Sequence, residues 1–146
     1  MLGQDLQRNV EDLWTAYDQG ATVEDIEPPQ LDTLDEFLAA LENGDVRAAE
    51  RDDGEWQVNE WVKRGILLNF AFRETYEREY GGVTYHDVLP LRDTGDLGER
   101  GTRNTPDGTT IRRGAYLGAD CIMMSPSFVN IGAHVGDGTL IDSCDT

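Results

Sequence analysis

Basic side chains are scarce in this chain: 12 Lys and Arg stand against 29 Asp and Glu, a formal charge of −17 over 146 residues. A nucleic-acid-binding surface neutralises phosphates with a stripe of Lys and Arg. No such stripe exists here, so nucleic acid is not an expected partner. Long apolar runs are missing too. No segment reaches the ~20 apolar residues that a helical membrane span requires, and no basic-plus-apolar secretory leader stands at Met1. A cytoplasmic protein without membrane contact is therefore expected. Histidine is limited to His86 and His134, and cysteine to Cys121 and Cys144. No second Cys or His stands at ligand spacing, so no metal site is expected. The acid is unevenly spread: residues 1–110 carry 10 basic and 25 acidic side chains, residues 111–146 only 2 and 4.

What is present is a period. Residues 111–146 fall into six hexads: IRRGAY, LGADCI, MMSPSF, VNIGAH, VGDGTL and IDSCDT. The first position is always a medium-sized apolar residue (Ile111, Leu117, Met123, Val129, Val135, Ile141). The fifth is small in all but the last (Ala115, Cys121, Ser127, Ala133, Thr139). A period of six matches neither the helical repeat nor the alternation of a simple strand. It predicts the start of a hexapeptide-repeat parallel β-helix, each hexad forming one flat side of a triangular coil. The first residue points inward, and the fifth sits where little room remains. Cys121 at a fifth position reads as a buried free thiol. Three hexads make a coil, so the repeat supplies two coils, and the chain is expected to be a portion of a longer protein.

The region before the repeat reads as α+β. Leu2, Leu6, Val10, Leu13, Trp14 and Tyr17 recur at helical spacing, with Gly20 as a stop. Pro28-Pro29 is assigned to a loop, and a second helix is expected from about Thr33, with Leu34, Phe37, Leu38 and Leu41 on one stripe and Asn43-Gly44 as its end. Residues 46–50, the Asp53-Gly54 turn and Glu55-Trp56-Gln57 predict a hairpin. Asn59 then caps a third helix carrying Trp61, Val62, Ile66, Leu67, Phe70 and Phe72, whose aromatic residues are expected in the core. Residues 84–88 look extended, with His86 a structural or surface residue. Residues 95–108 read as a polar, Gly-rich loop. The expected division is residues 1–78 for the N-terminal α+β domain, 79–110 for an extended strand and connecting loop, and 111–146 for the repeat.

Three stretches together resemble the tetrahydrodipicolinate N-succinyltransferase family of bacterial lysine and diaminopimelate synthesis. The first runs from Arg47-Ala48-Ala49-Glu50 through Asp53-Gly54-Glu55-Trp56 and Trp61-Val62-Lys63-Arg64 to Leu67-Leu68-Asn69-Phe70. The second is Asp87-Val88-Leu89-Pro90-Leu91. The third, and the most specific, comprises Ile111-Arg112-Arg113-Gly114-Ala115-Tyr116, Met124-Ser125-Pro126-Ser127-Phe128-Val129-Asn130-Ile131-Gly132-Ala133 and Gly138-Thr139-Leu140-Ile141-Asp142. The resemblance implies a left-handed parallel β-helix after the α+β domain. It also implies a homotrimer with active sites between neighbouring solenoids, and transfer of a succinyl group from succinyl-CoA to the amine of a ring-opened cyclic dicarboxylate. Succinyl-CoA would be a co-substrate, with no permanently bound cofactor.

That reaction sets physical demands. The amine must lose its extra proton before attacking a thioester, which a nearby carboxylate assists. A dicarboxylate substrate favours an Arg fork, and the tetrahedral oxyanion needs an N–H donor. By the resemblance, Asp142 is the catalytic, substrate-binding acid. Arg103 matches the carboxylate-binding Arg of the loop before the solenoid, although one residue is inserted between it and Arg112. Arg112 is the alternative. The family's catalytic glutamate, most of its CoA contacts and its C-terminal cap are expected in coils beyond residue 146. An acyltransferase with another CoA donor and a non-catalytic trimeric scaffold are the rival readings. A three-histidine metal solenoid is disfavoured, because this sequence holds only two histidines.

Overall fold

A computed structural model of the chain describes residues 2–144. Met1, the side chain of Leu2, and the last two positions of the sixth hexad lie outside the described residues. The chain divides into two compact units. One holds the residues up to Phe37 together with Ala48–Pro90, the other Leu38–Arg47 together with the residues from Leu91 onward.

In the first unit, helix α1 (Leu2–Asp18) turns Leu6, Val10 and Leu13 into the core, the spacing that puts side chains on one helical face. Helix α3 (Glu60–Ala71) packs against it and buries Val62, Gly65, Leu68 and Asn69. Buried Asn69 is satisfied at both ends: its amide donates to the Gly65 carbonyl and its oxygen accepts from Arg73 Nε, each at 2.9 Å. That matters, because a buried amide without partners would cost about 1–3 kcal/mol. One aromatic residue of α3 expected in the core is not there: Phe70 is 37% exposed, as is Leu67 at 46%, because Val62, Gly65, Leu68 and Asn69 define the inward face. Asn59 stands at the N-cap as expected, but its side-chain amide donates to Glu50 Oε1 and its oxygen accepts no capping bond from the helix.

The start of the second helix also needs correction. Helix α2 runs Pro28–Asn43, so both prolines lie inside its first turn rather than in a loop. First-turn N–H groups have no intrahelical acceptor, so proline gives up nothing there and its fixed φ suits the helix. Gln30 strengthens the start by accepting from Glu27 N at 2.7 Å. The C-terminal end follows expectation. Gly44 takes φ +77°, Gly44 N donates to Leu41 O, and Asp45 N donates to Ala40 O, the paired bonds of a Schellman ending.

Two hairpins complete this unit. Strand β1 (Ala49–Asp52) pairs antiparallel with β2 (Glu55–Val58), so the first strand begins at Ala49 rather than at Val46. Its loop is Asp53-Gly54, both at positive φ, which matches the twist of the flanking strands. The second hairpin, β3 (Tyr76–Tyr80) with β4 (Val83–Asp87), turns at Gly81-Gly82 in the same way. Residues 84–87 are extended as expected, the strand ending one residue before Val88, and His86 sits exposed on β4, 3.7 Å from Glu77. The division drawn at 78/79 falls inside β3.

The second unit is a coil of short parallel strands on three sides. One side carries β5 (Arg103–Asn104), β8 (Ile122–Met123) and β11 (Leu140–Ile141). The next carries β6 (Thr109–Ile111) and β9 (Ser127–Val129), and the third β7 (Tyr116–Leu117) and β10 (His134–Val135). Partners in register are 18 residues apart, as in Tyr116 with His134 and Ile122 with Leu140. Ile111, Leu117, Met123 and Val129 are buried in one cluster with Leu97 and Ala115, and Val135 and Ile141 pack on it. Cys121 is fully buried at its fifth position. The ladder extends upstream of Ile111: β5 and the start of β6 lie in the stretch 79–110 read as strand and connecting loop, and Leu97 joins the core cluster. Arg103 pairs with Ile122, a step of 19, whereas Thr109 pairs with Ser127, a step of 18. The extra residue of this coil therefore lies between Asn104 and Thr109.

Candidate active site

Arg103 is placed by the residue before it. Thr102 is buried; its hydroxyl donates to Gly118 O at 3.1 Å and accepts from Cys121 N at 3.2 Å, while Arg103 N donates to Cys121 O. The preceding loop is held by Arg92, whose fork takes both oxygens of Asp96 at 3.0 Å. Those hydrogen bonds from Arg92 hold the Asp96 carboxyl below its ordinary range. With its backbone fixed, the Arg103 side chain is exposed, and its guanidinium has no hydrogen-bond or ion-pair partner among the described residues.

Asp142 follows Ile141, which packs on the coil core, so the acid emerges at the corner after β11 and is exposed. Its Oδ1 accepts from Ser143 N at 2.7 Å. A stack of hydroxyl residues supports this corner. Thr105 Oγ1 donates to Ser125 Oγ and accepts from Ser125 N, Ser125 Oγ donates to Pro106 O, and Ser143 Oγ donates to Ser125 O. Ser125-Pro126 is a cis peptide.

Arg103 and Asp142 therefore belong to the same side of the coil, on β5 and just after β11, with β8 between them. Neighbouring strands are ~4.8 Å apart, which separates their rungs by about 10 Å. Arg112 lies elsewhere. It follows β6 on the next side, its guanidinium sits over the Phe128 ring at 5.7 Å, and its NH1 donates to Asn130 Oδ1 at 3.3 Å. Chemically, the first side offers a guanidinium unpaired among the described residues for a carboxylate, and an exposed carboxylate for a cationic or proton-losing nitrogen. Among the described residues no group of three His, Cys, Asp or Glu could hold a metal ion, and no helix is long and apolar enough to cross a membrane.

The sixth position of each of the first five hexads lies on the outer face. Tyr116, Ile122, Phe128, His134 and Leu140 are all large, and each precedes an inward residue. Tyr116 and His134 stack with ring centroids 4.1 Å apart, and Gly44 lies against the Tyr116 ring. Burial, and after it the Arg47 charge, hold the His134 imidazole below its usual pKa, against a smaller opposing effect of Asp137. The signal that marks this face is side-chain size at a fixed hexad position.

An α+β unit of three helices and two hairpins followed by a three-sided parallel coil defines the class. Comparison with known proteins shows what the chain is similar to. Residues 5–72 match the family described as tetrahydrodipicolinate N-succinyltransferase N-terminal. The curated 2,3,4,5-tetrahydropyridine-2,6-dicarboxylate N-succinyltransferase of Sodalis glossinidius is 34% identical over 98% of this chain and 53% of its own length. Those of Methylobacterium sp. and Xylella fastidiosa are 36% and 39% identical, over 97% and 94% of the chain and 52% and 50% of their own lengths. The chain is thus similar to tetrahydrodipicolinate N-succinyltransferases along nearly all its length, and it spans about half the length of the curated relatives it matches.

Proposed function

We propose that the complete protein moves a succinyl group from succinyl-CoA to the amino group of ring-opened tetrahydrodipicolinate, in lysine and diaminopimelate biosynthesis. The reading rests on one observation above the rest: a chain similar to these enzymes over 94–98% of its length carries an exposed Arg, unpaired among the described residues, and an exposed Asp on one side of the same coil. In this reading the coil is left-handed and the protein is a cytoplasmic homotrimer. Each site lies between neighbouring coils, so Asp142 acts on substrate held partly by another subunit.

Arg103 takes one substrate carboxylate through two parallel N–H···O bonds, fixing the position of the amine. Asp142 accepts a hydrogen bond from that amine and keeps its lone pair available. The nitrogen attacks the thioester carbonyl, and the tetrahedral oxyanion is met by an N–H donor. The C–S bond then breaks, CoA leaves as the thiol, and the proton lost by nitrogen balances the thiolate. Succinyl-CoA is consumed as co-substrate, and no resident cofactor takes part.

Asp142→Asn should lower kcat by about 10²-fold, the scale expected on losing an acid–base group. Arg103→Gln should act mainly on KM for the amine substrate. Succinyl transfer followed by thiol release from succinyl-CoA measures both. An unchanged kcat/KM in Asp142→Asn removes Asp142 from the mechanism, and a wild-type protein that releases no CoA favours a non-catalytic coil.

A further inference from the structure

The three outer columns of the coil are furnished differently. On one side, Tyr116 and His134 stack and Tyr116 receives Gly44. On the next, the Phe128 ring lies under the Arg112 guanidinium. The third column is Arg103, Ile122 and Leu140, joined rung to rung by β5, β8 and β11. Its orientation follows from the core. Met123 belongs to the core and Ile141 packs on it, so the alternation of a strand turns Ile122 and Leu140 outward. Ile122 is half-buried and Leu140 is 59% exposed.

We infer that Ile122 and Leu140 form an aliphatic platform that selects the acyl acceptor by the length and saturation of its backbone. This inference rests on the function proposed above. Arg103 at the foot of the column binds a carboxylate, and Asp142, one residue past Ile141 at its head, meets the nitrogen. Above Arg103 the column itself carries two branched aliphatic side chains, Ile122 and Leu140, while Asp142 stands two residues beyond Leu140 at the corner beside Thr105 and Ser125. A ligand that rises from Arg103 along the column to Asp142 lays its middle on that strip. A methylene chain gains by covering it, while a chain with hydroxyl groups at its centre would lose water contacts there without replacement. A short dicarboxylate that engages Arg103 stops on the Ile122 rung and gains little from Leu140. Ile122 and Leu140 are therefore specificity residues, and the charged residues at the two ends anchor the ligand.

The test uses binding without turnover. Pimelate, a saturated dicarboxylate with the backbone length of the ring-opened substrate, is titrated into protein labelled at Ile and Leu methyl groups. The methyl signals of Ile122 and Leu140 should move, and succinate should move Leu140 much less. Leu140→Asn should weaken pimelate binding by roughly fivefold to tenfold, the loss expected from part of one apolar side chain's contact area. Leu140→Met should restore it, and succinate binding should be nearly unaffected by either. Equal pimelate affinity in Leu140→Asn and wild type, or shifts confined to another surface, overturns the platform. If Arg103→Gln abolishes pimelate binding while Leu140→Asn leaves it intact, the platform fails and the proposed acyl-acceptor site stands. The proposed function fails separately, through unchanged succinyl transfer in Asp142→Asn.

Discussion

Gly65→Ala sets two effects of opposite sign against each other inside the first unit. Glycine within a helix costs about 1 kcal/mol relative to alanine, so on propensity alone the change should stabilise α3. A Cβ on Gly65, however, would stand 2.5, 2.6 and 3.0 Å from three ring carbons of Phe37. Those distances are far inside van der Waals contact. Phe37 is fully buried, and its ring packs edge-on against Trp61 at 5.9 Å. The ring cannot retreat without disturbing that pair. Overpacking a tight core costs about 1–3 kcal/mol, and contact with a buried ring rather than a flexible chain end puts this case at the upper limit. The net expectation is a loss of about 2 kcal/mol. With a urea m-value of about 2 kcal/mol/M, the midpoint falls by roughly 1 M. Trp14, Trp56 and Trp61 all lie in the first unit, so tryptophan fluorescence reports its unfolding. The double variant Gly65→Ala, Phe37→Leu should be more stable than the sum of the two single changes by roughly 1–2 kcal/mol, because the smaller side chain removes the clash. A Gly65→Ala protein as stable as wild type, or a strictly additive double variant, would refute the steric argument.

Other outcomes follow from polar contacts in the second unit. Glu42 Oε1 accepts from Arg113 Nε at 2.7 Å and from Gly114 N at 2.8 Å. Glu42→Ala should cost about 2 kcal/mol, since it leaves the buried Gly114 N–H unpaired, while Glu42→Gln retains an acceptor and loses less. Faster amide exchange at Gly114 in the alanine variant checks the mechanism, and unchanged exchange counts against it. His134 gives a pH dependence. Its folded pKa lies below the unfolded value of about 6.5, so the unfolded state binds more protons between the two values. Its contribution is complete above about pH 6.5 and is lost as pH falls through the folded pKa. His134→Asn should flatten the slope of the urea midpoint in that window, and an unaltered slope would show that other groups govern it. The losses expected for Asp142→Asn and Leu140→Asn, in turnover and in pimelate affinity, complete the set.

The inward positions of the coil were legible because one physical constraint acts on them every six residues. Ile111, Leu117, Met123 and Val129 all face a cavity of fixed width, so size and polarity recur. The start of the ladder was not legible. Its first strand is Arg103–Asn104, and the added residue before Thr109 shifts the frame that would have revealed it. The β3–β4 hairpin was missed although Gly81-Gly82 between two β-forming runs is a turn signal. Pro28-Pro29 misled because proline breaks a helix in its interior but not in its first turn. Phe70 misled because composition alone cannot say which stripe of an apolar helix faces inward.

The candidate site divides along the same line. Motif resemblance picked out Asp142 and Arg103 and left Arg112 as an alternative. Only the ladder pairing puts Arg103 and Asp142 on one side and leaves Arg112 over Phe128 on the next.

By itself, then, the sequence determined the period, the inward residues and the acidic balance, because each is a local property repeated along the chain. Which large outward side chains stand above one another was decided by the tertiary structure. A pairing between residues 18 apart is set by how many residues complete a turn, and one extra residue in one coil changes the alignment of everything below it.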